Sequence, residues 1–130
     1  MAFRDFFDAY TECALWSSDD DDGTPMDELD NELAPETLAK MRDECILFYE
    51  THTEYKGEWL PRSELWDRGG WSDEQAGHDF WLTRNGHGSG FWDRVYNKHS
   101  SKIGRLLTNA AHGYKECSLY VGDDGLIYCG

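Results

Sequence analysis

Between His78 and Arg94 the chain gathers His78, Asp79, Arg84, Asn85, His87, Ser89, Asp93 and Arg94 around Gly86, Gly88 and Gly90. Several chemistries draw on such a set. His87 beside Ser89, oriented by Asp79 or Asp93, is the inventory of a hydrolytic site, where a base activates a hydroxyl and a carboxylate holds the base. No nucleophile-elbow pattern surrounds Ser89, so a small hydrolase using His87 ranks third among the readings. His78, Asp79, His87 and Asp93 are also metal-ligating types. In an extended segment neighbouring side chains point to opposite faces, so His78 and Asp79 would not share an ion, and no metal or other cofactor is expected.

Anion binding is the better ligand reading. Glycines let backbone amides approach a phosphate, and Arg84 and Arg94 offer forked donors to it. Trp81, Trp92 or Tyr96 would stack a base. A nucleotide or cyclic-nucleotide site would therefore use Arg84, Asn85, His87, Ser89, Arg94, Trp81 and Trp92. Its spacing is neither that of a P-loop nor that of a dinucleotide fingerprint. The plainest reading of the same residues is a glycine-rich turn, with Asp93 paired to Arg84 or Arg94 across a hairpin.

The elements that would position this run follow from periodicity. Phe3, Phe6, Phe7, Tyr10 and Ala14 recur at helical spacing, which predicts a helix over 3–16. Pro35 suits a first helical position, and Leu38, Met41, Cys45 and Phe48 carry a second helix to about Thr51. Residues 52–71, with Pro61 and Gly69-Gly70 as breakers, read as irregular. Ser72 and Gln75 resemble a capping box that starts one short turn, stopped by Gly77. His78 to Thr83 partly alternates and reads as a strand, returning at Phe91-Trp92 as a hairpin. Ser101 caps a third helix, with Ile103, Leu106, Leu107, Ala110 and Ala111 inward and Gly113 as a left-handed stop. Leu119–Val121 and Leu126–Tyr128 flank Gly122-Asp123-Asp124-Gly125 as a second hairpin. The expectation is a single α+β domain over 1–130, with a small, mostly antiparallel sheet of two hairpins and about three helices.

Composition narrows the function classes. The chain has 130 residues and a net charge of −14. Residues 1–64 hold eighteen acidic and five basic side chains, a net of −13. Asp19, Asp20, Asp21, Asp22, Asp27, Glu28, Asp30 and Glu32 concentrate that charge in a loop near 17–33. Such a surface repels nucleic acid and attracts basic proteins. The ligand alternation and closing Glu of a calcium loop are missing from it. Cys13, Cys45, Cys117 and Cys129 form no CxxC pair, so zinc is not expected. Free buried thiols in a reducing cytosol are expected instead. No apolar run is long enough to span a membrane. With six Trp, seven Tyr and six Phe, the core should be aromatic.

The run Gly77-His78-Asp79-Phe80-Trp81-Leu82-Thr83-Arg84-Asn85-Gly86-His87-Gly88, followed by Gly90-Phe91-Trp92-Asp93-Arg94, resembles a family of small uncharacterised bacteriophage proteins. Glu12-Cys13-Ala14-Leu15-Trp16, Leu106 to Gly113 and Tyr120-Val121-Gly122-Asp123-Asp124-Gly125 fit the same likeness. It implies a phage accessory protein made in a bacterial cytosol, and it implies no catalytic role. By analogy with small acidic phage proteins, the leading expectation is a non-enzymatic inhibitor of a host defence or nucleic-acid-processing protein, with the acidic loop imitating DNA phosphates.

Overall fold

The computed structural model of the protein describes residues 2–130. Helix α1 (Ala2–Trp16) sets Phe6, Tyr10, Cys13 and Ala14 at three- and four-residue intervals, and all four are buried. That stripe packs on α4 (Asp73–Arg84). The two backbones come very close. A β-carbon added at Gly77 would stand 2.0 Å from the Phe6 carbonyl oxygen, so only glycine fits the crossing.

Aromatic rings fill the space around that crossing. Phe6 stacks on Trp66 of α3 (Arg62–Arg68) at 5.0 Å between ring centroids. Phe48 of α2 (Pro35–Glu50) stacks on Phe80 of α4 at 4.0 Å. Tyr10 meets Phe80 at 5.3 Å and the edge of Trp81 at 5.5 Å. Each such pair adds about 0.5–1.5 kcal/mol beyond area burial. Ile103 and Leu107 of α5 (Ser100–His112) close the other side of the core.

Two small antiparallel sheets lie on this helical body. Strands β1 (His52–Tyr55) and β2 (Glu58–Pro61) pair with Tyr55 opposite Glu58. Their two-residue turn, Lys56-Gly57, has φ of 50° and 84°, the left-handed pair that suits a twisted hairpin. Strands β3 (Leu119–Val121) and β4 (Ile127–Cys129) pair with Tyr120 opposite Tyr128. A parallel bridge from Leu33 to Ile127 ties the end of the acidic loop to β4. Among the described residues the α+β domain with two hairpins is therefore observed, with two separate two-stranded sheets in place of one and five α-helices in place of about three.

Four expectations are corrected. Residues 52–71 are not irregular: they form the β1–β2 hairpin and α3. Residues 78–83 are helix, not strand, and Phe91–Asp93 is a 3₁₀ turn, so no hairpin spans them. Ser101 is not a cap. Helix α5 begins at Ser100, whose Oγ accepts from the Tyr96 and Asn97 amides and donates to the Gly69 carbonyl, and Gly113 ends it in a right-handed conformation. The four thiols are not all free. Cys117, two residues before β3, stands 5.6 Å from Cys129 of β4 between Cα atoms and the two form a disulfide, leaving Cys13 and Cys45 as buried thiols.

Candidate functional site

Helix α4 carries the first part of the 78–94 run, His78 to Arg84. Ser72 caps it, its Oγ accepting from the Gln75 amide at 3.0 Å. It continues through Gly77 because that residue makes the contact with Phe6 rather than a stop. It ends in a Schellman turn: the His87 amide donates to the Leu82 carbonyl at 3.0 Å, and the Gly86 amide to the Thr83 carbonyl at 3.2 Å. Gly86 takes φ 69°, the left-handed conformation this motif requires. Asn85-Gly86 is thus a helix stop. The Asn85 side chain donates to the Trp81 carbonyl and accepts from the Cys117 amide at 2.7 Å.

Both arginines of the expected anion site turn inward. Arg84 is only 3% exposed. Its NH1 donates to Glu44 Oε1 at 2.8 Å and to the Tyr10 hydroxyl at 3.1 Å, and its Nε and NH2 donate to the Lys115 carbonyl. Burial opposes the Arg84 charge, but the bonds to Glu44 and Tyr10 outweigh it and hold its pKa above the usual value. Arg94 lies over the fully buried Asp79, with NH2 to Oδ1 at 2.6 Å and Nε to Oδ2 at 3.0 Å. Asp79 also accepts from the Trp71 indole at 2.9 Å and from Gln75 at 2.9 Å. The expected pairing of Asp93 with either arginine is therefore corrected: Glu44 and Asp79 are the partners, and Asp93 is exposed.

These pairings redefine what the segment can do. A phosphate would have to break the buried pair with Glu44 to reach the Arg84 guanidinium, and at Arg94 it would compete with the two bonds to Asp79. Trp81 is buried, its indole donating to Ser17 Oγ at 2.8 Å, so it offers no face to a base. Trp92 remains half exposed. His87 lines a hollow of about 260 Å³ with Asp19 and Glu116, and Ser89 lies outside it. Asp79 gives both oxygens to Trp71, Gln75 and Arg94, leaving neither to orient His87. His78 Nδ1 stands 3.5 Å from Asp79 Oδ1, longer than a good hydrogen bond. Among the described residues, no group of three or more His, Cys, Asp and Glu side chains is placed to hold a metal ion, and no helix is long and apolar enough to cross a membrane.

The partners of Arg84 and Asp79 were hidden in the sequence. Glu44 sits one residue off the apolar stripe of α2, Trp71 falls in the stretch read as irregular, and Gln75 reads as part of a capping box. Only Asp79 lying four residues after Gln75, on one helix face, would have signalled the second network.

The acidic loop is ordered. Asp20 Oδ1 accepts from the amides of Asp22 at 3.0 Å and Thr24 at 2.9 Å, and the Asp20 amide donates to the Thr24 carbonyl at 2.9 Å. Met26 plugs the core, 1% exposed, with its amide on the Ser18 carbonyl at 2.8 Å. At the far end the Ile127 amide donates to the Glu32 carbonyl and the Ala34 amide to the Ile127 carbonyl, each at 2.9 Å. Asp19, Asp21, Asp22, Asp27, Glu28, Asp30 and Glu32 are left exposed, while Asp20 is half buried as the internal clasp. Asp19 to Asp22 share a hollow with Tyr120 and Val121, so carboxylates and exposed apolar side chains meet at this edge. Lys98, Lys102 and Arg105 lie exposed elsewhere, on α5 and just before it.

No protein-family model, curated protein or solved structure matches the chain.

Proposed function

We propose that the chain is a non-enzymatic phage accessory protein that binds and inhibits a basic, nucleic-acid-processing or defence protein of the bacterial host. One observation carries the reading: seven exposed carboxylates sit on a loop fixed at both ends and clasped in the middle by Asp20. A fixed array of negative charge presents its pattern without an ordering cost and steers a basic partner into encounter. The resemblance to phage proteins supplies the setting, a bacterial cytosol. The Cys117–Cys129 bond weighs against a reducing compartment, where disulfides are rare. The nucleotide-sequestering alternative loses support, because Arg84 and Arg94 are committed to Glu44 and Asp79.

The test is inhibition of a panel of purified bacterial nucleases and DNA-processing enzymes, at low and at physiological salt. The comparison protein replaces Asp19, Asp21 and Asp22 by Asn and keeps Asp20, so that the loop stays clasped. Inhibition of at least one enzyme is expected, weakening as salt rises and falling about tenfold in the variant. Inhibition that ignores both salt and the substitutions, or no inhibition across the panel, retires the reading.

A further inference from the structure

A groove of about 770 Å³ runs between α1, the 3₁₀ turn Met26–Glu28 and the first turns of α4. Its size lies in the range of ligand sites. Beside the neutral polar side chains of Asn31, Ser72 and Gln75, and the imidazole of His78, the lining brings together apolar and acidic groups. Met26 and Leu29 form an apolar floor, and Trp16 stands at the edge with 61% of its surface exposed. Glu12, Asp27 and Glu74 supply carboxylates from three different elements, all exposed. No lysine or arginine lines it. Cys13 reaches it too, but burial, helped by the Asp79 charge, pushes that thiol up to about 12, so it offers no thiolate nucleophile.

An apolar floor whose rim carries three carboxylates, and no lysine or arginine to oppose them, is complementary to one chemistry. An apolar side chain would enter between Met26 and Leu29. A lysine or arginine beside it would lie over the Trp16 ring and reach the carboxylates. Exposed Trp at a concave site is also the residue type most often found anchoring interfaces. The groove is continuous with the acidic loop: Asp27 belongs to both, and Leu29 and Asn31 line both the groove and the hollow beneath Asp19 to Asp22. We infer that this groove is a docking site for a cationic amphipathic segment of the partner protein, with apolar anchors on its floor and basic side chains on Trp16, Glu12, Asp27 and Glu74. The inference builds on the proposed function by naming the chemistry of the partner.

The test uses the whole protein and a synthetic peptide of about 14 residues, built of Leu and Lys in helical amphipathic order, with binding followed by calorimetry. A control peptide keeps every Lys and replaces Leu by Ser. The Leu/Lys peptide is expected to bind at a single site, about tenfold tighter than the control. Trp16→Ala, and separately Glu12→Gln with Glu74→Gln, should each weaken it about tenfold. These side chains are exposed, so unchanged thermal melts are expected to show that the variants fold. The variant neutralised at Asp19, Asp21 and Asp22 should bind within about twofold of wild type. No binding, equal binding of the two peptides, or indifference to Trp16→Ala overturns the inference. Loss of peptide binding in the loop variant alone also overturns it, while leaving the charge-surface reading intact. Peptide binding as expected with no enzyme inhibited would retire the proposed function and keep the groove.

Discussion

Asp79 and Arg94, fifteen residues apart, are joined by hydrogen bonds of 2.6 and 3.0 Å. The chain leaves α4, passes through the glycines and returns a guanidinium to a carboxylate of the helix it has just left. Residues 85–93 are held as a closed loop by that return.

Stability should therefore depend on pH through Asp79. Burial pushes its carboxyl up, but the facing N–H donors and the Arg94 charge outweigh burial and leave it below its ordinary value of 3.8. A carboxyl depressed by folding stabilises above its unfolded pKa and loses that contribution as pH falls through the folded value. Asp73 works in the opposite sense, since burial raises it despite the Trp66 indole bond. Asp79→Asn should cost about 2–3 kcal/mol at pH 7, and the gap should close as pH falls from about 5 towards 2. Urea melts over a pH series read this out. Parallel profiles for wild type and variant would remove Asp79 as the cause.

Gly77→Ala should destabilise, against the usual gain of about 1 kcal/mol from Gly to Ala within a helix. The new methyl would meet the Phe6 carbonyl oxygen at 2.0 Å, and forcing the helices apart should cost about 3 kcal/mol. Gly88→Ala is the control, because nothing lies within 4 Å of its added β-carbon, and it should stay within about 0.5 kcal/mol of wild type. Thermal melts of the two proteins decide the matter; equal melting temperatures would contradict the crossing.

Arg84 and Glu44 should be energetically coupled. Arg84→Met removes the donor shared by Glu44, Tyr10 and the Lys115 carbonyl, at about 3 kcal/mol. Glu44→Gln should cost about 1 kcal/mol, since the Glu44 side chain is 23% exposed and Arg84 keeps its other acceptors. The double variant should sit close to Arg84→Met, a coupling of about 1 kcal/mol. Additivity within about 0.3 kcal/mol in denaturant melts would show that the pair does not act together.

Helices α1, α2 and α5 and the β3–β4 hairpin were legible because each buries one face and exposes the other, so apolar spacing reports the period. Helix α4 was not, for a physical reason. Asp79, Phe80, Trp81, Leu82, Thr83 and Arg84 are all buried, and a segment covered on every side has no polar face to reveal its turn. The local alternation of Phe80 and Leu82 with polar neighbours then mimicked a strand. Gly77 misled as well, since a glycine that permits close packing looks like one that ends a helix. Asn85-Gly86 serves hairpins and helix stops alike. The β1–β2 hairpin was missed because its turn is Lys56-Gly57, and Lys at a left-handed position gives no compositional signal. For the candidate site, the acidic array was visible as composition, but Asp20 as its internal clasp and the groove beside it appear only once α1, the loop and α4 are brought together.

The crossing of α1 on α4 also bears on how the chain is made. Phe6 and Tyr10 find their cover on Trp66, Phe80 and Trp81, all synthesised much later. Contacts so distant in sequence form slowly, and a domain completes its fold as a unit during synthesis. Until α2, α3 and α4 have all emerged, Phe6 and Tyr10 lack part of the aromatic cover they have in the folded protein. The segment that follows directly is the one bearing Asp19 to Asp22, Asp27, Glu28, Asp30 and Glu32. Like charge on that segment repels a second copy of it, which opposes association through the aromatic stripe while its cover is incomplete.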